Sequence, residues 1–165
     1  MNLIEPILAE LEQEAKPTRK MLELIPDDKL TWKPHDKSMT LGRLAAHIAE
    51  IPSWVEAFIV KDEFVLGAEK YDPPVAQTAQ QALEMFDTNL AKALDTLKEL
   101  SDERLLARWR LKKGDEVVLE MPRIAVIRTW LLNHVIHHRG QLSVYLRLND
   151  VRLPQVYGPS ADEGM

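Results

Sequence analysis

Apolar residues recur every three or four positions in four long stretches of the chain. This spacing places them on one side of an α-helix and leaves charged residues on the other side. The stretches predict helices over residues 2–25, 40–61, 75–100 and 121–148. Four helices of about 20 or more residues, each about 30 Å long, are what a four-helix bundle requires. We therefore predict an all-α fold, formed by residues 1–165 as a single domain.

Prolines and turn residues predict where this helical pattern is interrupted. Pro17 is expected to bend or break the first helix, because its ring removes one backbone hydrogen bond. Thr40 is the expected N-cap of the second helix, and Pro52 predicts a kink inside that helix. Residues 62–74 contain Gly67 and two consecutive prolines, and they predict a long connection between the second and third helices.

A different pattern lies between the third and fourth helices. Residues 108–111 and 116–119 flank the turn sequence Lys112-Lys113-Gly114-Asp115. Two short strands around a turn of this kind predict a small two-stranded hairpin. Asn149-Asp150 is expected to end the last helix, and the tail that follows is too rich in proline and glycine for another helix.

Composition narrows the classes of function. The 165 residues include 21 basic and 26 acidic side chains, a formal charge of −5 that disfavours nucleic acid as a partner. No stretch approaches the roughly 18 consecutive apolar residues of a membrane helix, and the acidic N-terminus does not resemble a signal peptide, so we expect a cytoplasmic protein without a membrane partner. The chain has no cysteine, which excludes disulfides, a thiolate nucleophile and cysteine-based metal sites.

Metal chemistry therefore depends on nitrogen and oxygen ligands, and three of the five histidines lie within residues 134–138. His134 and His138 are four residues apart, so their side chains leave the predicted helix on the same face. Such pairs also occur on solvated faces, and spacing alone favours that interpretation by about two to one. The same face also carries residues typical of a pocket or core: Trp130, Leu131, Gln141 and Tyr145.

A third ligand must come from another helix, and His47 is the candidate. It shares its face with Trp54 and several apolar residues, although a single histidine on such a face is more often a core residue than a ligand. His137 points about 60° away from His134, so we place it at the boundary of the site. Glu50 lies at the edge of the same strip and is a weak candidate for a ligand.

Two further polar residues have alternative roles. Tyr145 could donate a hydrogen bond to a bound oxygen and Gln141 could orient a substrate, but packing is the commoner role for each by about two to one. Three neutral imidazoles would hold a divalent first-row ion and leave a position open to water or substrate. That coordination is typical of catalytic rather than structural sites.

Three segments give the chain a resemblance to the DinB-like (YfiT-like) superfamily of bacterial metal-binding four-helix bundles. They are residues 41–50 (LGRLAAHIAE) followed by Trp54, residues 133–141 (NHVIHHRGQ), and residues 154–163 (PQVYGPSADE). The resemblance implies His47, His134 and His138 as ligands of nickel or zinc, an up-down-down-up bundle, and a homodimer. It also implies transfers or isomerisations that use a low-molecular-weight thiol, together with some hydrolases.

Three functions follow as hypotheses. In the first, the ion activates an external thiol that attacks a small electrophile, which agrees with the absence of cysteine. In the second, the protein is a metal-dependent hydrolase, which calls for a general base that Glu50 alone could supply. In the third, the metal is structural and the protein is a non-catalytic binding or stress-response module.

Overall fold

The computed structural model describes residues 2–68 and 70–164. Within them, the helices are α1 (Ile4–Glu23), α2 (Leu41–Glu50), α3 (Ala79–Lys98), α4 (Asp102–Leu106), α5 (Arg123–Val126) and α6 (Asn133–Leu148). The strands are β1 (Glu63–Val65), β2 (Arg108–Lys113) and β3 (Glu116–Pro122). None of these helices is long and apolar enough to cross a membrane.

The helical segments form the four rods of a bundle, as predicted. The first rod is α1, the second is α2 with the two helical turns that follow it, the third is α3, and the fourth is α5, α6 and the helical turn between them. α1 and α2 each pack against both α3 and α6, so α1 and α2 lie on opposite corners of the bundle. Two apolar clusters fill its interior. One is built from α2 together with residues of α1, α3 and the end of α6, and the other surrounds Trp109, which is completely buried.

The first two rods differ in detail from the sequence prediction. α1 continues through Pro17 without a break, because the remaining hydrogen bonds and a buried apolar face hold it together. The second rod does not run as one α-helix from 40 to 61. Thr40 caps it as predicted, but α2 ends at Glu50, and a 3-10 turn (Ile51–Ser53) and a π-helical turn (Val55–Ile59) follow. Pro52 lies in the 3-10 turn, so the interruption falls where its missing N–H predicts one.

The third rod begins later than predicted, at Ala79 instead of Val75. The Thr78 hydroxyl accepts a hydrogen bond from the Gln81 backbone N–H (3.0 Å), and this N-cap sets the start of α3. The fourth rod begins at Arg123, because the predicted first residues, Met121 and Pro122, belong to β3. It contains a π-helical turn (Ile127–Leu132) before α6.

The predicted hairpin is present as β2 and β3, and a third strand joins it. β1 comes from the connection between the second and third rods and pairs in parallel with β2, with Phe64 opposite Leu111. The sequence predicts no strand in the connection over residues 62–74, because the three residues of β1 are too few to show an alternation of apolar and polar positions. The short helix α4, capped by Ser101, was also missed.

Candidate metal centre

α2 and α6 bring three histidines together between the two apolar clusters. His47 Nε2 lies 3.2 Å from His134 Nε2 and 3.1 Å from His138 Nε2. Among the described histidines, aspartates and glutamates, these three form the one group whose ligand atoms all lie within 4.8 Å of one another. His47 and His138 are buried, and His134 is half-buried.

Hydrogen bonds at the opposite ring nitrogens decide which nitrogen carries the proton. His47 Nδ1 lies 2.6 Å from Glu50 Oε1, and an ionised carboxylate can only accept a hydrogen bond, so Nδ1 is protonated. His138 Nδ1 likewise donates to Gln141 Oε1 at 2.7 Å. In the neutral imidazoles, Nε2 of both rings therefore presents a lone pair to the centre.

Burial keeps two of these rings neutral. Burial, together with the smaller effects of the neighbouring His138 and His47, lowers the pKa of His134 to about 4. The pKa of His138 is also lowered to about 4, chiefly by burial, against the opposing effect of the Gln141 hydrogen bond. Histidine must be deprotonated at the nitrogen that binds a metal. The rings of His134 and His138 are therefore in the neutral form that binds a metal at neutral pH.

The spacing of the nitrogens fits a first-row metal ion. Nitrogens bound to such an ion at about 2.0–2.1 Å lie about 2.8–3.4 Å apart at octahedral or tetrahedral angles. The two measured Nε2 separations, 3.1 and 3.2 Å, fall inside this range. Two lone pairs at this distance repel each other, whereas a cation between them converts the repulsion into attraction.

Glu50 supports the centre from behind His47. Its Oε1 accepts hydrogen bonds from His47, from Arg43 Nη2 (3.0 Å) and from the Tyr71 hydroxyl (2.7 Å). Burial by itself would raise the pKa of Glu50, but the hydrogen bonds from His47, Tyr71 and Arg43 hold the pKa below its usual value. Burial and the bond to Glu50 raise the pKa of Tyr71 to about 12, so Tyr71 is the proton donor in this pair.

Of the remaining predicted residues, Trp54 and His137 lie beside the three histidines, whereas Trp130 and Tyr145 contact residues elsewhere. Trp54 borders the centre, with its ring 5.0 Å from the His134 ring and 5.6 Å from the His47 ring. His137 is exposed, and its Nε2 lies 3.1 Å from Gln141 Nε2. Two residues of the α6 face have partners elsewhere: Trp130 packs on Trp109, and the Tyr145 hydroxyl donates to the Met39 carbonyl.

Sequence reasoning missed Arg43 and Tyr71. Arg43 lies one helical turn before His47 and two turns before Glu50, a spacing that could have identified it. Tyr71 lies in the irregular connection, where no periodicity predicts the direction of a side chain. Its contact with Glu50 spans 21 residues of sequence.

A four-helix bundle in which three histidines converge from two rods defines a class of helical proteins with a candidate metal centre. The model of the DinB family matches residues 2–164, and the chain belongs to that family. The resemblance seen in the sequence is thereby confirmed.

Individual relatives agree with this assignment. The uncharacterized protein YrdA of Bacillus subtilis (strain 168) is 26% identical over 161 residues, which cover 97% of this chain and 91% of YrdA. The crystal structure of a DinB-like protein from Bacillus cereus ATCC 10987 is 27% identical, with a TM-score of 0.74 over 93% of this chain and 97% of that one.

A more distant solved structure shares the fold. YfiT from Bacillus subtilis, described as a probable metal-dependent hydrolase with an unusual four-helix bundle topology, is 15% identical, with a TM-score of 0.66. The match covers 89% of this chain and 87% of YfiT. At this identity the likeness supports the fold alone.

Proposed function

We propose that this protein is a metal-dependent enzyme that holds a divalent first-row ion, nickel or zinc, through His47, His134 and His138. The observation that carries the proposal is the convergence of three imidazole Nε2 atoms at metal-ligand spacing, two of them with the opposite nitrogen already donating a hydrogen bond. Among the described residues no fourth histidine, aspartate or glutamate joins the group. Three protein ligands with an open position are typical of catalytic centres.

The chain's own residues prepare the site for such an ion. Glu50 and Gln141 fix the orientation and tautomer of two ligands, which is how partners behind the ligands raise metal affinity. Trp54 covers one side of the rings and excludes water there. His134 is the most exposed of the three, so a small-molecule substrate approaches past His134. When bound, the ion supplies Lewis acidity that lowers the pKa of a nucleophile reaching it.

The protein supplies no nucleophilic sulfur, because the chain has no cysteine, and we infer that the ion activates a nucleophile from outside. Water is the first candidate, and the reaction is then a hydrolysis. Its support is the structural neighbour YfiT, which is described as a probable metal-dependent hydrolase.

A low-molecular-weight thiol is the second candidate, and one observation favours it. The carboxylate nearest the centre, Glu50, already accepts hydrogen bonds from His47, Arg43 and Tyr71. These hydrogen bonds compete with any role of Glu50 as a general base on water. A thiol needs less help from a base, since its ordinary pKa of about 8.5 is far below that of water.

Metal content tests the site. The protein is purified without a histidine tag, and bound metals are measured by mass spectrometry. We expect about one ion per chain in the wild type and His137→Ala, and loss of stoichiometric binding in His47→Ala, His134→Ala and His138→Ala. Full retention of metal in these three variants would refute the ligand assignment.

Turnover tests the reaction. Metal-loaded protein is offered activated esters and amides in one arm, and a panel of cellular thiols with an epoxide or monochloro electrophile in the other. Hydrolysis that disappears in His134→Ala supports the first candidate, and thiol-dependent product that disappears in that variant supports the second. An absence of turnover in both arms would indicate a non-catalytic metal-binding module.

A further inference from the structure

In the described part of the connection between the second and third rods, Tyr71 contacts Glu50 and Arg43 beside the metal centre. The backbone of the connection is anchored at two points: Leu66 N–H donates to the Lys112 carbonyl (2.8 Å), and Ala76 N–H donates to the Gly42 carbonyl (3.2 Å). Tyr71 lies between these anchors. Its residue is 60% exposed, yet its hydroxyl reaches a carboxylate whose residue is only 6% exposed. Tyr71 therefore links the exposed connection to the buried Glu50 carboxylate through a hydrogen bond.

The Tyr71 hydroxyl forms hydrogen bonds with both Glu50 and Arg43. It donates to Glu50, with its oxygen 2.7 Å from Oε1 and 2.9 Å from Oε2, and it accepts from Arg43 Nη2 at 3.0 Å. His47 and Arg43 contact Oε1 alone, so Tyr71 is the donor that spans both oxygens of the carboxylate. This contact opposes rotation of the Glu50 carboxylate away from His47.

Arg43 does not replace this support. Its guanidinium is held by Nη2, while its buried Nη1 has no hydrogen-bond partner among the described residues. Without the tyrosine hydroxyl, Arg43 Nη2 would retain the Glu50 oxygen and a long contact of 3.4 Å to His47 Nδ1. That contact brings a cation toward the nitrogen that must carry a proton, so it does not favour the ligand tautomer of His47.

We propose that Tyr71 is a positioning residue that couples the connection over residues 70–76 to the metal centre. It holds Glu50, Glu50 orients His47, and His47 binds the ion; conversely, an ion that fixes His47 strengthens the attachment of the connection. This inference rests on the proposed metal site. Its consequence is that the retention of metal and the protection of this segment change together.

The chain contains a matched control. Tyr157 is 69% exposed, and its hydroxyl donates to the buried Glu14 (2.6 Å) and accepts from the buried Arg139 (2.5 Å). It therefore forms the same triad of tyrosine, glutamate and arginine, but with Glu14 on α1, Arg139 on α6 and the tyrosine in the C-terminal tail. Tyr157→Phe removes an equivalent hydroxyl that makes no contact with Glu50.

The experiment uses Co²⁺ as the probe, because its visible absorption spectrum reports on its ligands. Co²⁺-loaded wild type, Tyr71→Phe and Tyr157→Phe are mixed with excess chelator, and the rate of cobalt loss is measured. We expect about a fivefold faster loss from Tyr71→Phe, equivalent to about 1 kcal/mol, and a shifted Co²⁺ spectrum. Tyr157→Phe is expected to match the wild type in both measurements. Glu50→Gln is expected to lower the affinity by about 10- to 100-fold, as for other partners of metal ligands.

Hydrogen exchange gives the second readout. Addition of Co²⁺ is expected to slow exchange in residues 70–76 of the wild type and of Tyr157→Phe, but not of Tyr71→Phe. A Tyr71→Phe protein with wild-type cobalt loss, spectrum and protection would overturn the inference and leave the metal site intact. A wild type that binds no Co²⁺ would overturn the proposed metal site, and the coupling with it.

Discussion

Arg123 provides the sharpest test of how the second and fourth rods are held together. Its side chain is completely buried, and it donates to the backbone carbonyls of Ile59 (2.9 Å), Lys61 (2.8 Å) and Arg104 (2.5 Å). It also pairs with Asp62 at 2.7 Å, but the Asp62 side chain is 72% exposed, so that ion pair contributes little. The carbonyls are the larger contribution, because the side chain that binds them is fully buried: those of Ile59 and Lys61 lie at the end of the second rod, and that of Arg104 lies in α4.

Replacement by methionine keeps the apolar stem of the side chain and removes its donors. A buried acceptor that loses its partner costs about 1–3 kcal/mol. Three such carbonyls set an upper limit near 9 kcal/mol, which water lowers because the chain around Lys61 is exposed. We therefore expect Arg123→Met to lower the free energy of unfolding by about 3–5 kcal/mol.

Urea denaturation of the metal-free protein, followed by circular dichroism, measures this change. Arg128→Met is the matched control, because Arg128 lies five residues further along the same rod and makes an exposed ion pair with Glu10. Its expected effect is less than about 0.5 kcal/mol. A loss below about 1 kcal/mol for Arg123→Met, or equal losses for the two variants, would contradict the role assigned to the buried guanidinium.

Two further predictions concern backbone space and acid stability. A Cβ on Gly42 would lie 2.8 Å from the Ala76 carbonyl oxygen, so Gly42→Ala should destabilise the protein by about 1–3 kcal/mol. Gly140 has open space around it, so Gly140→Ala should stabilise the protein by about 0.5–1 kcal/mol. Thermal unfolding compares the two variants. Equal changes in melting temperature would refute this. Hydrogen bonds from Arg104 and then from the buried arginine lower the pKa of Asp62 below its ordinary 3.8. The Asp62 carboxylate therefore binds a proton less readily in the folded state than in the unfolded state. Its contribution to the free energy of unfolding is complete above pH 3.8 and is lost as the pH falls through the folded-state pKa. Unfolding measured across that acid range should depend less on pH in Asp62→Asn; an unchanged dependence would contradict the assignment.

Local patterns predicted the parts of the protein that local forces control. The 3.6-residue period of apolar positions predicted the four rods, because burying one helical face requires that repeat. The hydroxyl of Thr40 and the ring of Pro52 marked the start and the interruption of the second rod, since each acts on hydrogen bonds within one turn. The spacing of His134 and His138 predicted a shared face for the same reason.

Contacts between distant segments could not be predicted in this way. The pairing of β1 with β2 places Phe64 opposite Leu111. The three residues of β1 are too few to show the alternation of apolar and polar positions that predicts a strand. The start of the fourth rod moved to Arg123, because β3 continues through residues that also suit a helical first turn. In both places, packing of the sheet outweighed local preference.

The candidate metal centre shows the same division. Sequence alone named the three histidines, since helical geometry aligns two of them, His47 shares its helical face with Trp54, and the family resemblance implies all three. Only the tertiary structure placed His47 Nε2 within 3.2 Å of the other two rings and surrounded Glu50 with its donors. Distances between rods depend on how all of their side chains pack, and the direction of an irregular connection depends on its anchors. The amino-acid sequence therefore determined which groups could bind a metal, and the packing of the bundle decided that they meet and that Tyr71 joins them.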